Sequence, residues 1–333
     1  MKRMMGIFCW LVGASVIPAA AELPSSLSAR IRGIGELPQE AAAAECRALL
    51  ETFGDSGTLP LATRARGLDL LRDACSESLS WTHPIVVVVA ERAVASRRRL
   101  EQDEPAPLVQ SLRLLGFCYH YRTHTHLARD LYQEAAAVAR KWLGRGTDEE
   151  DVAAALELLS SAYLDLGNLE EGIEIAKESE RLRRELVPPQ PDKVVRSLNA
   201  RARLEERIDL RRAKATWEEA LAISRSLGNE HRALTGRMAN NLGQIFFRLG
   251  EVTEAITYLA EAEKLRSYDP KTGKPAKQLA ATQHLMAQIL HELGDYPRAV
   301  DYYKKALPGL RAWLGEEPYR YADALSGYAA VLE

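Results

Sequence analysis

One pattern returns about every 42 residues along the 333-residue chain, and it restricts the possible folds more than any single motif. The clearest copy is Leu242-Gly243-x-x-Phe246 followed by Gly250, Ala255, Leu259 and Ala262. Other copies are Leu115-Gly116-x-x-Tyr119 with Ala128, Tyr132 and Ala135, then Tyr163, Gly167, Gly172 and Ala176, then Gly294, Ala299, Tyr303 and Ala306. A weaker one keeps Ala213, Trp217, Ala220 and Leu221 without a clear turn glycine. Aligning positions 128, 172, 213, 255 and 299 gives intervals of 44, 41, 42 and 44 residues. Such a period belongs to stacked supersecondary units, none of which can bury its own apolar face alone.

Within one unit the spacing is helical. Ala239, Leu242, Gly243 and Phe246 fall at i, i+3, i+4 and i+7, which is one face of a helix. Gly250 follows Arg248 and Leu249, where a left-handed residue ends a helix. Ala255, Leu259 and Ala262 then mark the inward face of a second helix. Small Gly243 and Ala255 let the two backbones approach, and Phe246 and Leu259 fill the space beside them.

These residues resemble the tetratricopeptide repeat, with its Leu-Gly, aromatic, turn glycine, Ala, aromatic and Ala. The long period is similar to the kinesin-light-chain variety, also found in bacterial proteins that join such repeats to caspase-like peptidase domains. Leu143-Gly144, Leu227-Gly228 and Leu314-Gly315 close long second helices, and Pro191 and Pro318 open first helices. The family's early tryptophan is missing; Leu156, Ser197, Ala239 and Gln283 stand there. The resemblance implies an all-α, right-handed solenoid of antiparallel helix pairs over 109–333. The chain is divided as a signal peptide at 1–21, a leader and capping helix at 22–60, a degenerate repeat at 61–108, and the repeats. Residues 22–37 read as a loose leader. Helices are expected from Pro38 to Thr52, from Leu61 to Ser78 and from Pro84 onward. The last helix, with Leu325, Tyr328 and Leu332, has no second helix after it and should leave an apolar face uncovered.

Lys2 and Arg3, an apolar stretch and Ala19-x-Ala21 have the layout of a secretory leader, with cleavage expected after Ala21 and an exported, periplasmic or secreted product. No membrane insertion is expected after cleavage. Three cysteines would then remain; Cys46 and Cys75 could pair, or act with Cys118 as small buried apolar residues. The formal net charge of -2 offers no global field for nucleic acid.

Chemistry-bearing motifs are sparse. His120, His124 and His126 form the one metal-like cluster, but the repeat register puts the last two in a turn, so no metal ligand or cofactor is assigned. There is no G-x-S-x-G, no phosphate loop and no catalytic pair, so an enzyme is not expected. What remains is a surface. Arg237, Asn241, Gln244 and Arg248 share the helix side opposite Ala239 and Phe246, and Asn199 occupies the place of Asn241 one repeat earlier. Asparagine both donates and accepts, so the pair could hold the backbone of an extended peptide. The arginines would favour an acidic group, and Glu205 and Glu206 would oppose a strongly acidic one. The expected function is an exported scaffold for a protein or peptide segment. Alternatives are the sensing arm of a peptidase-type multidomain protein and, more remotely, a metal-dependent hydrolase built on the three histidines.

Overall fold

The computed structural model describes residues 23–54, 59–79, 81, 83–267, 278–311 and 318–332. The leader at 1–21, its cleavage site and the polar loop at 269–275 lie outside them. Among the described residues there are fifteen α-helices and no strand, only an isolated bridge between Leu143 and Thr147. The chain divides into two compact units, 1–167 and 168–333.

The first unit contains α1 (Ser25–Gly33), α2 (Gln39–Thr52), α3 (Leu61–Ser78), α4 (Pro84–Arg98), α5 (Pro105–Tyr121), α6 (Thr125–Lys141) and α7 (Glu149–Leu166). The segment read as a loose leader is helical where Leu27, Ile31 and Ile34 are buried, which anchors α1 and the following turn. Cys46 on α2 and Cys75 on α3 form a disulfide across 29 residues, and Cys118 on α5 is free and buried. Local chemistry fixes the helix starts. His83 accepts from the Ile85 amide ahead of α4, and Asp148 and Asp151 form a capping box at α7.

The second unit contains α8 (Leu169–Glu185), α9 (Pro191–Glu205), α10 (Leu210–Ser226), α11 (Arg232–Arg248), α12 (Val252–Arg266), α13 (Leu279–Glu292), α14 (Tyr296–Arg311) and α15 (Pro318–Leu332). Consecutive helices pack as hairpins whose seam follows the repeat. Ala213, Ala255 and Ala299 are fully buried, as is Ala128 in the first unit. Four residues after each stands the bulk that fills the seam: Tyr132, Trp217, Leu259 and Tyr303. Gly243 lies so close beneath Leu259 that an added Cβ would sit 2.6 Å from its Cγ; Gly116 meets Tyr132 in the same way at 2.5 Å.

The turns repeat too. After α11 the Glu251 amide donates to the Phe246 carbonyl at 2.9 Å, with Gly250 left-handed at φ 80° between them. After α13 the same bond joins Asp295 to Leu290 around Gly294. After α5 it joins His124 to Tyr119 around Thr123, a non-glycine residue at φ 63°. The weak copy turns differently. Between α9 and α10 there is no left-handed residue, and Asp209 instead accepts from the Arg211 and Arg212 amides.

At the last helix, Tyr328 turns inward and its ring lies 6.1 Å from that of Tyr303. Leu325 and Leu332 are the large apolar side chains of α15 exposed among the described residues, and Tyr328 is half-buried.

Candidate ligand-binding face of the first helices

Equivalent positions on successive first helices are neighbours, and several touch. In the second unit Asn241 Nδ2 donates to Asn199 Oδ1 at 2.9 Å, and Trp217 Nε1 donates to the same oxygen at 3.3 Å. Two donors on one carbonyl fix both amides. Asn199 Nδ2 and Asn241 Oδ1 have no partner among the described residues, so a donor and an acceptor remain side by side on half-buried residues. Two turns further along, Arg248 pairs with Glu206, again 42 residues away.

The expected ligand stripe is therefore placed on one helix side but is not uniform. Arg237, Gln244 and Arg248 are exposed, with Asn241 half-buried between them, while Ala239, Leu242, Gly243 and Phe246 are buried opposite. Arg248 spends much of its charge on Glu206. Glu205 is not a surface charge at all: it is buried, it accepts from Thr216 Oγ1 at 2.6 Å, and Arg212 stands at 3.2 Å. The expected opposition of Glu205 and Glu206 to an acidic ligand is thus removed, because both carboxylates are neutralised within the fold.

Arg201 accounts for the degenerate look of this repeat. It holds the register of Gly243, where 243 minus 42 is 201. Instead of a small residue under a large one, its guanidinium reaches Glu180 at 2.5 Å and Thr216 at 3.2 Å. Glu180 and Glu205 are both buried, so this seam is held by charge pairs whose desolvation demands all the partners present.

Arg196 and Arg203, one heptad apart on α9, are exposed, and no carboxylate lies within ion-pair distance among the described residues. They were not singled out from sequence. Their signal was available in the seven-residue spacing, on a side offset from buried Leu198 and Ala202.

In the first unit the histidines separate. His120 Nε2 contacts the Asp165 carboxylate of α7, whereas His124 precedes α6 and His126 is exposed on it. No group of three or more metal-type ligands occurs among the described residues. The three histidines therefore do not form a shared centre there.

Three stretches of the chain match Tetratricopeptide repeat families: residues 153–185, 209–267 and 279–318. Among curated proteins, none matches the sequence. Several solved structures share the fold. BtubC (BKLC) from P. vanneervenii superposes with a TM-score of 0.59 at 22% identity, over 69% of this chain and 91% of that one. A Rap protein complexed with Competence and Sporulation Factor gives 0.58 at 15% identity, over 92% and 86%. The STAND protein PH0952 from Pyrococcus horikoshii, with a tetratricopeptide repeat sensor, gives 0.57 at 17% identity; 88% of this chain aligns with 43% of that one.

Proposed function

Because the chain belongs to the tetratricopeptide repeat superfamily, we propose that it is an exported, non-enzymatic scaffold that holds a protein or peptide segment on the exposed sides of α9 and α11. The observation that carries this reading is the Asn199–Asn241 pair. Its unused Nδ2 and Oδ1 offer one donor and one acceptor, the complement of a single peptide unit. Arg196, Arg203 and Arg237 are exposed on the same two helices and favour a ligand carrying carboxylates. A net charge of -2 gives no reason to expect nucleic acid. The Rap protein, of similar fold, is complexed with Competence and Sporulation Factor, which lends the binding role a structural precedent.

Export draws support from two independent features. Lys2, Arg3 and Ala19-x-Ala21 frame an apolar segment of leader type. The Cys46–Cys75 disulfide suits an oxidising compartment.

Replacing Asn199 and Asn241 together by alanine should weaken binding of a partner captured from the envelope fraction at least about tenfold, since each lost charge-free contact is worth about 1 kcal/mol or more. Helical content by circular dichroism should stay at the parent value. Unchanged affinity would move the contact surface off these helices. A second reading, the sensing arm of a larger protein, is favoured by the alignment with the sensor-bearing PH0952. The size of the endogenous protein on an immunoblot separates the two.

A further inference from the structure

Every second repeat buries an arginine at one register position near the end of its second helix. Counting eleven residues from Val86, one 42-residue period before Ala128, and from the aligned positions 172 and 255 gives Arg97, Arg183 and Arg266, all buried. The alternate repeats have fully buried Ala139 and Ser224 at the same place. Arg97 shows what the guanidinium needs. Its Nε and Nη2 both reach Asp69 Oδ2, at 2.9 and 2.7 Å, and Nη1 pairs with Glu104. Ser111, 42 residues after Asp69, donates to the other oxygen of that carboxylate at 2.8 Å.

Around Arg266 the frame is the same but the charge is missing. Thr282 stands where Ser111 does, and donates across 42 residues to Asn240 at 2.9 Å. Asn240 therefore occupies the place of Asp69, a neutral amide for a carboxylate. Arg266 turns Nη1 toward Asn240 Oδ1 at 3.0 Å, the Gln278 carbonyl at 3.3 Å and Thr282 Oγ1. Its Nε and Nη2 have no hydrogen-bond partner among the described residues. The side chain is only 6% exposed, and no carboxylate among the described residues forms an ion pair with it. Burial, and next the nearby charge of Arg237, hold its pKa down at about 10. A buried cation with only neutral acceptors is costly unless a counter-charge is supplied.

We propose that the Nε–Nη2 edge of Arg266 is a binding site for one external carboxylate, in the position that Asp69 takes on Arg97. That edge presents two parallel N–H groups, the geometry that a carboxylate engages with both oxygens. The site needs no extended peptide and stands independently of the α9–α11 reading. A free small acid and an acidic side chain of a protein partner offer the same group.

Thermal unfolding of the full chain in sodium acetate, in N-acetylaspartate amide and in sodium chloride, at matched pH and ionic strength, tests it. Either carboxylate should raise Tm saturably over chloride, as ligand binding to the folded state requires. A response to acetate identifies a site open to free small acids, and one confined to the aspartate derivative identifies a side-chain site. Asn240→Asp restores the internal carboxylate: it should raise Tm in chloride and weaken the response to added carboxylate at least tenfold. Arg266→Gln should lose the response as well, but that variant alone could fail through misfolding. Equal Tm of the parent chain in all three salts, or a full response in Asn240→Asp, would overturn the proposal. So would a response that appears only after Asp269→Asn, because the occupant would then be the chain's own acid.

Discussion

Cys118 lies on α5 with no exposed surface, and burial pushes its thiol up to about 12. An unfolded cysteine ionises near about pH 8.5. A group whose pKa rises on folding contributes stability below its unfolded value and loses that contribution as pH climbs toward the folded one. Stability should therefore decline between about pH 9 and pH 12. Alkylation of the native protein at pH 8 should leave Cys118 unlabelled over hours while denaturant exposes it within minutes; equal rates would mean the thiol is open. At this scale the sequence revealed which side chains face inward, since Ala239, Leu242, Phe246, Ala255 and Leu259 are all buried. It did not reveal how neighbours divide their hydrogen bonds. The stacking that lets Asn241 share a carbonyl with Trp217, or sinks Glu205 beneath Thr216, depends on helix rotations that a spacing of 42 leaves open by tens of degrees.

Helix pairs set the next scale, and their seam is unforgiving. Ala255 is fully buried and its carbonyl lies 3.2 Å from where a Cβ on Gly243 would stand, whereas Ala260 is exposed. Ala255→Leu should cost about 1–3 kcal/mol through overpacking. Ala260→Leu should stay within about 0.5 kcal/mol, as for most surface changes. Urea unfolding of both variants checks the register; equal costs would refute it. The helices most legible in the sequence were those with both a period and a stop signal, such as α3, whose bounds Leu61–Ser78 follow from the pattern. α1 was missed because Ser25, Ser26 and Gly33 read as loop, while the apolar contacts of Leu27 and Ile31 that override this preference lie outside the segment. Between second helices, Arg98–Glu134 and Arg225–Glu261, both at 2.6 Å, tie adjacent repeats at half-exposed sites. Such pairs contribute at most about 1 kcal/mol each, so the apolar seam, not this charge ladder, dominates.

For the molecule as a whole, the disulfide is the single covalent link beyond the backbone among the described residues. It closes a loop of 29 residues between α2 and α3. Chain-entropy arguments assign such a loop about 3–4 kcal/mol. Reduction, or replacing both cysteines by alanine, should lower the urea midpoint of the first unit accordingly, with the tryptophan signal of Trp81 or Trp142 as the probe. No shift would show that α2 is held by packing alone. The architecture was readable because it repeats: five weak copies at one spacing outweigh any one of them. Pairing of Cys46 with Cys75 was not readable, since sequence places them on consecutive helices but says nothing of which sides face each other.

The 42-residue bonds of the second unit have a further meaning. Asn199 to Asn241 and Glu206 to Arg248 each join a residue to its own counterpart one repeat later. A cut made between counterparts therefore rejoins like with like. Excising residues 207–248 would link Glu206 directly to the turn at Gly250, giving α9 the partner helix α12 with no change of phase. That shortened chain should keep its ellipticity per residue and a cooperative melt. Excising 207–227 removes half a period, leaves α9 leading into another first helix, and should abolish cooperative melting. Loss of the melt in both would mean that the junctions are not interchangeable. Length in such a chain is free to vary only in whole steps, so insertions and deletions that survive selection should come in multiples of one repeat.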